Sequence, residues 1–333
     1  MAAFSLPIDE KPFRSFLRDG AAATAATCGL TAPRLRHEGR LLVVTLHRVL
    51  PPALRDSYPF PNLAVTPEEL DWLLATLSLR YTLGPLAELH ARHLAGERPA
   101  QPFAAITFDD GQLDNYEHAL PVLARHGVRA SFFVPVDAID RSEPLWHDRL
   151  GFAALALRRA GRIGTSPGEL ASSAKRRSPA EREALVRSMV ERAVAPAPAW
   201  AGMMSWRQVR ALASAGHEIG SHSMSHPLLP QCDARTLRDE VGRSKARIEE
   251  ELGAPVESFC YPDGDWDRCV AEAVRAAGYR RAVDTRWGSN APAAPALALR
   301  RCDVDARRLR DRRGRCSSAL LAFRLSGLDP RLE

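Results

Sequence analysis

The sequence predicts an α/β fold, a distorted (β/α) TIM-like barrel with a helical insertion, and three observations carry that expectation. Short apolar runs such as 41–46 (LLVVTL) and 103–108 (FAAITF) read as strands buried on both faces, which is the pattern of a parallel sheet. Strand-like and helix-like segments alternate along most of the chain. Several strand ends then carry polar or charged side chains that a plain turn does not need, at the edge where such folds place their chemistry. Counting strand ends gives about six to eight repeats, which favours a closed or nearly closed barrel over an open sheet.

The elements follow in order. Residues 1–40 predict an N-terminal segment, with one short helix over 13–29 or a loosely packed end. Strand 41–46 delivers His47 and Arg48, and Pro51-Pro52 stops it. Thr66, Pro67 and Glu69 are a helix start: N-cap, first-turn proline and capping box, with the helix running to about 79. A short strand is expected at 81–83. Strand 103–108 runs into Asp109-Asp110-Gly111. Helix 116–126 is closed by Gly127, and strand 129–134 by Pro135.

Residues 137–200 break the rhythm. Helices are expected near 147–160 and 179–194, the second opened by Ser178-Pro179-Ala180-Glu181, with a polar Gly/Ser stretch at 161–173 between them. This region reads as an insertion between barrel units. The rhythm resumes with a helix capped by Ser205 and ended by Gly216, then strand 218–221 leading to His222. Helix 234–252, strand 258–261 broken by Pro262, helix 267–277, strand 281–285 and a last strand within 297–304 complete the barrel, taken as 41–310. A basic C-terminal tail is expected over 311–333.

Composition bounds the function. The 333 residues, 45% hydrophobic and 26% charged, describe an ordinary globular chain with a sizeable core. The net charge of +6 is almost entirely arginine, densest at 300–315, and no nucleic-acid module accompanies it. A solvated basic surface, or attraction to anionic lipid or anionic saccharide, fits better. The six cysteines (28, 232, 260, 269, 302, 316) have no C-x-x-C spacing and read as free thiols of a reducing compartment. The N-terminus shows no basic segment followed by an apolar one, and no run of 18 apolar residues occurs. The expectation is therefore a cytoplasmic protein with no transmembrane segment, which leaves peripheral membrane contact open.

Three stretches carry chemistry. Asp109 and Asp110 at one strand end repel unless a cation or a shared proton relieves them, so they suggest a metal or an acid/base pair, although an Asp-Gly turn explains them equally well alone. His222-Ser223-Met224-Ser225-His226 follows another strand end and can bring two imidazoles to one ion. Two histidines and a carboxylate make a mononuclear site with open positions. One divalent metal is expected, with zinc the default and cobalt, nickel or iron able to use the same set. The third stretch is the polar and aromatic turn Tyr261-Pro262-Asp263-Gly264-Asp265-Trp266.

Together these stretches resemble the polysaccharide deacetylase family, with its NodB-homology domain, over about 41–135 and 203–304. The resemblance rests on Thr107-Phe108-Asp109-Asp110-Gly111, His222-Ser223-x-x-His226 and Tyr261-Pro262-x-Gly264. It implies a hydrolase that removes N-acetyl groups from an amino-sugar-containing saccharide (polymer, oligosaccharide or glycolipid intermediate), with Asp109 as base and Asp110, His222 and His226 on the metal. A backbone N–H near Tyr261 would hold the oxyanion, and His47, Arg301 and Trp266 are further substrate or oxyanion candidates. Two departures stand out. Cys260 occupies a position where many relatives carry a base-orienting arginine. The late Leu-x-His stretch reads Leu297-Ala-Leu299-Arg300-Arg301, and no histidine follows His226. The alternative is thus a catalytically silent saccharide-binding relative that keeps the metal site, and the third reading, DNA binding through 300–315, lacks a module.

Overall fold

The computed structural model describes residues 10–194, 196–304 and 309–329. Its strands in chain order are β1 (Leu41–Leu46), β2 (Arg48–Val49), β3 (Ala64–Val65), β4 (Thr82–Gly84), β5 (Phe103–Phe108), β6 (Ser131–Val134), β7 (Glu218–Ser221), β8 (Ser258–Cys260), β9 (Arg281–Trp287) and β10 (Leu299–Asp303). Seven of them close a parallel barrel in the order β1-β10-β9-β8-β7-β6-β5, shut by six residue pairs between β5 and β1. β4 pairs with the first half of β5, and β6 with its last two residues. The distortion is local: β4 takes the edge that β6 leaves at the bottom of the barrel.

All six residues of β1 and of β5 are buried, as their apolar runs require. Strand alternation divides them. Leu41, Val43, Phe103, Ala105, Cys260, Val283 and Leu299 form one cluster, closed by Leu86 and Leu89 of the helix Leu86–Leu94. Leu42, Val44, Ala104, Ile106 and Phe108 belong to the large cluster that the outer helices cover. Continuing the first set past the strand ends brings His47, Asp109 and Arg301 to one mouth. Gly220 keeps the interior passable, because a Cβ there would lie 2.5 Å from the Phe133 ring. Capping follows the sequence signals: Thr66 and Glu69 form the reciprocal box on Pro67–Ser78, and Gly127 and Gly253 end their helices in the left-handed region.

Three expectations need correction. The polar stretch at 161–173 contains the helix Pro167–Lys175, whose capping box of Ser166 and Glu169 was the overlooked signal. Among its described residues the insertion therefore holds four α-helices (Val136–Asp140, Trp146–Arg159, Pro167–Lys175 and Pro179–Ala193), and the last three share a core of Trp146, Leu150, Leu157, Ala174, Val186 and Met189. The loosely packed N-terminal end and the basic tail are also replaced. Helix Glu10–Thr27 packs through Ala22 and Ala25 on Leu320 and Phe323 of the helix Ser318–Leu325. The apolar stretch Ala319-Leu320-Leu321-Ala322-Phe323, capped by Ser317, buries itself despite the arginines before it. Arg307 and Arg308 of the basic stretch lie outside the described residues. No described helix is long and apolar enough to cross a membrane.

Candidate active site

The C-terminal strand ends open into a cleft of about 1220 Å³, floored by the two motif carboxylates. Asp109 and Asp110 are adjacent in sequence and face different partners. Asp110 sits at φ +71°, in the left-handed region, and Gly111 follows at φ +62°. A side chain other than glycine is disfavoured there, so the turn is held by its surroundings. Gly111 is confined, with a Cβ at that position only 3.2 Å from Pro135 and 3.3 Å from Val134.

Asp110 Oδ1 lies 3.4 Å from His222 Nε2 and 3.5 Å from His226 Nε2, and all three residues are buried. Ligands bound to one ion at about 2.0–2.1 Å lie roughly 3.3 Å apart in a tetrahedron, so these separations suit a single divalent metal. His222 Nδ1 donates 2.8 Å to the Cys260 carbonyl, which leaves Nε2 free to ligate. The loop between the histidines is pinned. Glu240, from the helix Ala234–Leu252, accepts from the backbone N–H groups of Met224 and Ser225 at 3.0 and 2.9 Å, and from the Ser225 hydroxyl at 2.6 Å. Ser223 Oγ accepts from the His226 N–H at 3.1 Å, with Ser223 and His226 themselves at φ +66° and +57°. Burial alone would push the Asp110 carboxyl up, but hydrogen bonds from His222 and His226 outweigh it and hold the carboxyl well below the usual range.

A second buried set, Asp109, His222 and Cys260, also lies within ligand reach. Its chemistry fits a metal less well. Burial pushes the Cys260 thiol up, and both Asp109 oxygens are already engaged. Arg301 holds Asp109 in a two-pronged contact, Nη1 to Oδ1 at 2.9 Å and Nη2 to Oδ2 at 2.8 Å, while its Nε donates to the Asp284 carbonyl at 2.8 Å. Burial raises Asp109, yet the Arg301 guanidinium prevails and holds the carboxyl below its ordinary value. β10 thus supplies a guanidinium partner to Asp109. Arg301 borders the cleft, but its guanidinium is committed to Asp109.

The other sequence candidates divide. His47 Nε2 stands 3.9 Å from Asp109 Oδ2 at the rim, and its carbonyl is held by Asn115. Tyr261 borders the cleft, but its ring is fully buried in the large outer cluster, and its hydroxyl donates to the Leu297 carbonyl at 2.9 Å. Its N–H does not point to an oxyanion, because it donates to the Val283 carbonyl at 3.2 Å. Trp266 is not among the cleft-lining residues: it stacks behind Tyr261 and donates from Nε1 to Asp284 at 3.1 Å.

The sequence reading missed what the insertion brings. His147, on the helix Trp146–Arg159, lies 3.9 Å from Asp110 Oδ2, and its buried Nε2 has no hydrogen-bond partner. Its neighbour Asp148 joins a buried ionic group beneath the floor. Arg48 bridges Asp114 and Asp148 at 2.7 Å each, and the Tyr58 hydroxyl donates to Asp148 at 2.7 Å. On the opposite side Lys175 pairs with Asp263, which fastens the insertion to the third motif turn. No short-range spacing links 147 or 175 to the motifs, so only the insertion's own helix signals could have found them.

The sequence model of the polysaccharide deacetylase family matches residues 96–282 of this chain. The chain belongs to the polysaccharide deacetylase family. Among relatives, the Bacillus subtilis candidate polysaccharide deacetylase YxkH is 23% identical over 208 residues, which are 62% of this chain and 53% of YxkH. The chain thus spans about half the length of that relative. The barrel of this family member is shared with two solved structures. Streptococcus pyogenes deacetylase PplD, in complex with acetate, aligns at a TM-score of 0.58 and 18% identity, over 80% of this chain and 92% of that one. IcaB from Ammonifex degensii aligns at 0.54 and 21%, over 80% and 91%.

Proposed function

We propose that this family member is a metal-dependent hydrolase that removes N-acetyl groups from an amino-sugar-containing saccharide. The observation that carries the proposal is the division of labour at the strand ends: Asp110 with two histidines, beside Asp109 locked to Arg301, at the floor of an open cleft. Family membership supports the deacetylase chemistry. Asp110, His222 and His226 would hold one divalent ion, with zinc the natural choice for a His₂–carboxylate set, and such an ion polarises the amide carbonyl and acidifies water.

The chain's own residues supply the rest. Asp109 is ionised at neutral pH and fixed in orientation, so it accepts the proton of the attacking water. Arg301 keeps that carboxylate aimed without being able to donate a proton itself. Asp109 then returns the proton to the leaving nitrogen, with His47 as a second donor at the rim. His147 closes the space on the insertion side.

The absence of a histidine after His226 favours a second reading, a silent saccharide-binding relative. Acetate release from N-acetylated oligosaccharides by zinc-loaded wild type and Asp109→Asn separates the two. The hydrolase reading expects release by wild type and a loss of roughly 10²–10⁴-fold in the variant. No release by wild type from any acetylated saccharide would favour the silent reading.

A further inference from the structure

The lining of the cleft carries more cationic than anionic side chains. Six cationic side chains line it, Arg158, Lys175, Arg286, Arg300, Arg301 and Arg324, against the carboxylates of Asp109, Asp110, Asp263 and Asp303. Two of those pairs cancel on the spot: Arg301 with Asp109 and Lys175 with Asp263. Arg286 leans on Asp284 at 2.6 Å, outside the cleft lining. Arg158 and Arg300 are exposed and form no ion pair among the described residues. They come from different elements, Arg158 from the insertion helix Trp146–Arg159 and Arg300 from β10.

Arg300 is also held in place. Its backbone N–H donates to Asn290 Oδ1 at 2.9 Å, and its carbonyl accepts from Asn290 Nδ2 at 2.9 Å. Its Nη1 donates to the Trp287 carbonyl at 3.3 Å. The side chain crosses Gly288, at φ +145°, where a Cβ would come within 3.0 Å of Arg300 Cδ. A guanidinium fixed by one carbonyl keeps its other N–H groups for a ligand, and its fork matches phosphate or carboxylate oxygens. A cleft with an excess of one sign also concentrates ligands of the opposite sign.

We propose that the cleft takes an acetylated saccharide carrying an anionic group, a phosphate ester or a carboxylate, and that Arg158 and Arg300 hold that group. The inference rests on the deacetylase reading for the acetyl end only. A polymer of neutral amino sugars offers these two arginines nothing to pair with, whereas a phosphate-linked intermediate or an acidic polysaccharide does.

The test measures equilibrium binding to the zinc-loaded Asp109→Asn protein, so that ligand is not consumed. Four probes are used: N,N′-diacetylchitobiose, N-acetylglucosamine 1-phosphate, an N-acetylated disaccharide containing a uronate, and a polyprenyl-phosphate N-acetylglucosamine in neutral detergent micelles. The expected result is binding of at least one anionic probe about tenfold tighter than the neutral one, an advantage that shrinks as salt rises. Adding Arg158→Met and Arg300→Met together should bring the anionic and neutral affinities to within about threefold of each other. Both positions are exposed, so the double variant should fold, and the unchanged thermal midpoint of the zinc-loaded protein checks this. Preference for the phosphate probe, the uronate or the lipid-linked probe alone assigns the source of the anion. Equal affinity for all four, or a preference that survives in the double variant, overturns the proposal. Acetate release is read separately with wild type. Release that is indifferent to charge leaves the deacetylase reading standing without this one, and charge-selective binding without release does the reverse.

Discussion

On the floor of the cleft, Asp109, Asp110, His222, His226 and Arg301 are all buried, and strand ends or a pinned loop fix each of them. On the opening, Arg158 and Arg300 are exposed and come from the insertion and from the outer side of β10. The floor spends burial on one arrangement of charges, in a setting where losing a partner leaves an unsolvated ion. The opening keeps its charges hydrated and available. The difference teaches that substitutions on the floor should abolish chemistry or folding, and substitutions at the opening should change which saccharide is preferred.

The largest effect expected is on the floor. Asp109→Asn should lower acetate release by roughly 10²–10⁴-fold while the zinc content stays that of wild type. Loss of the metal along with activity would break the distinction between the two adjacent carboxylates. Next comes the buried support. Asp148→Ala removes one of the two carboxylates on fully buried Arg48, together with the acceptor of the Tyr58 hydroxyl. It should destabilise the protein by about 3–5 kcal/mol in urea denaturation. A cost below about 1 kcal/mol would mean that the insertion is not anchored through this residue.

Arg301→Gln sharpens the electrostatic part. Arg301 holds the Asp109 carboxyl below its ordinary value against burial. On the proposed mechanism the base is therefore charged, and usable, down through the ordinary carboxylate range. Without the guanidinium, burial dominates and the carboxyl rises. The acid limb of kcat/KM should move to higher pH, with a fall of roughly 10²-fold near neutrality from lost orientation. An acid limb that stays in place would show that another group sets it. The smallest effect belongs to the opening, where Arg300→Met alone should reduce the ratio of anionic to neutral binding by a few-fold.

The barrel was legible because its signals are local. The β1 and β5 runs, the Thr66 capping box and the glycine helix ends each act over a few residues, and tertiary packing reinforces them. Asp110, His222 and His226 were legible as a set because strand ends of a parallel barrel converge whatever lies between them in the chain. What the sequence hid is long-range. The Asp109–Arg301 fork joins residues 192 apart, so the guanidinium partner of Asp109 could not be traced by spacing. His147 and Asp148 belong to the insertion, whose helices were legible but whose docking depends on the Arg48 bridge. Tyr261 was misread in one respect, since β9 captures the N–H that a free turn would have offered. Trp266 was misread because a half-buried indole found its acceptor in Asp284 and not in a ligand.

The most direct test of the account is the metal content of the protein itself, which needs no knowledge of the saccharide. Purified wild type and His222→Ala are reconstituted with zinc, desalted and measured by elemental analysis. The account predicts about one zinc per wild-type chain and a large loss in the variant, because two remaining ligands do not complete a stable site. Wild-type protein that retains no divalent ion after reconstitution, or a variant that retains as much as wild type, would contradict the claim that Asp110, His222 and His226 form the metal centre.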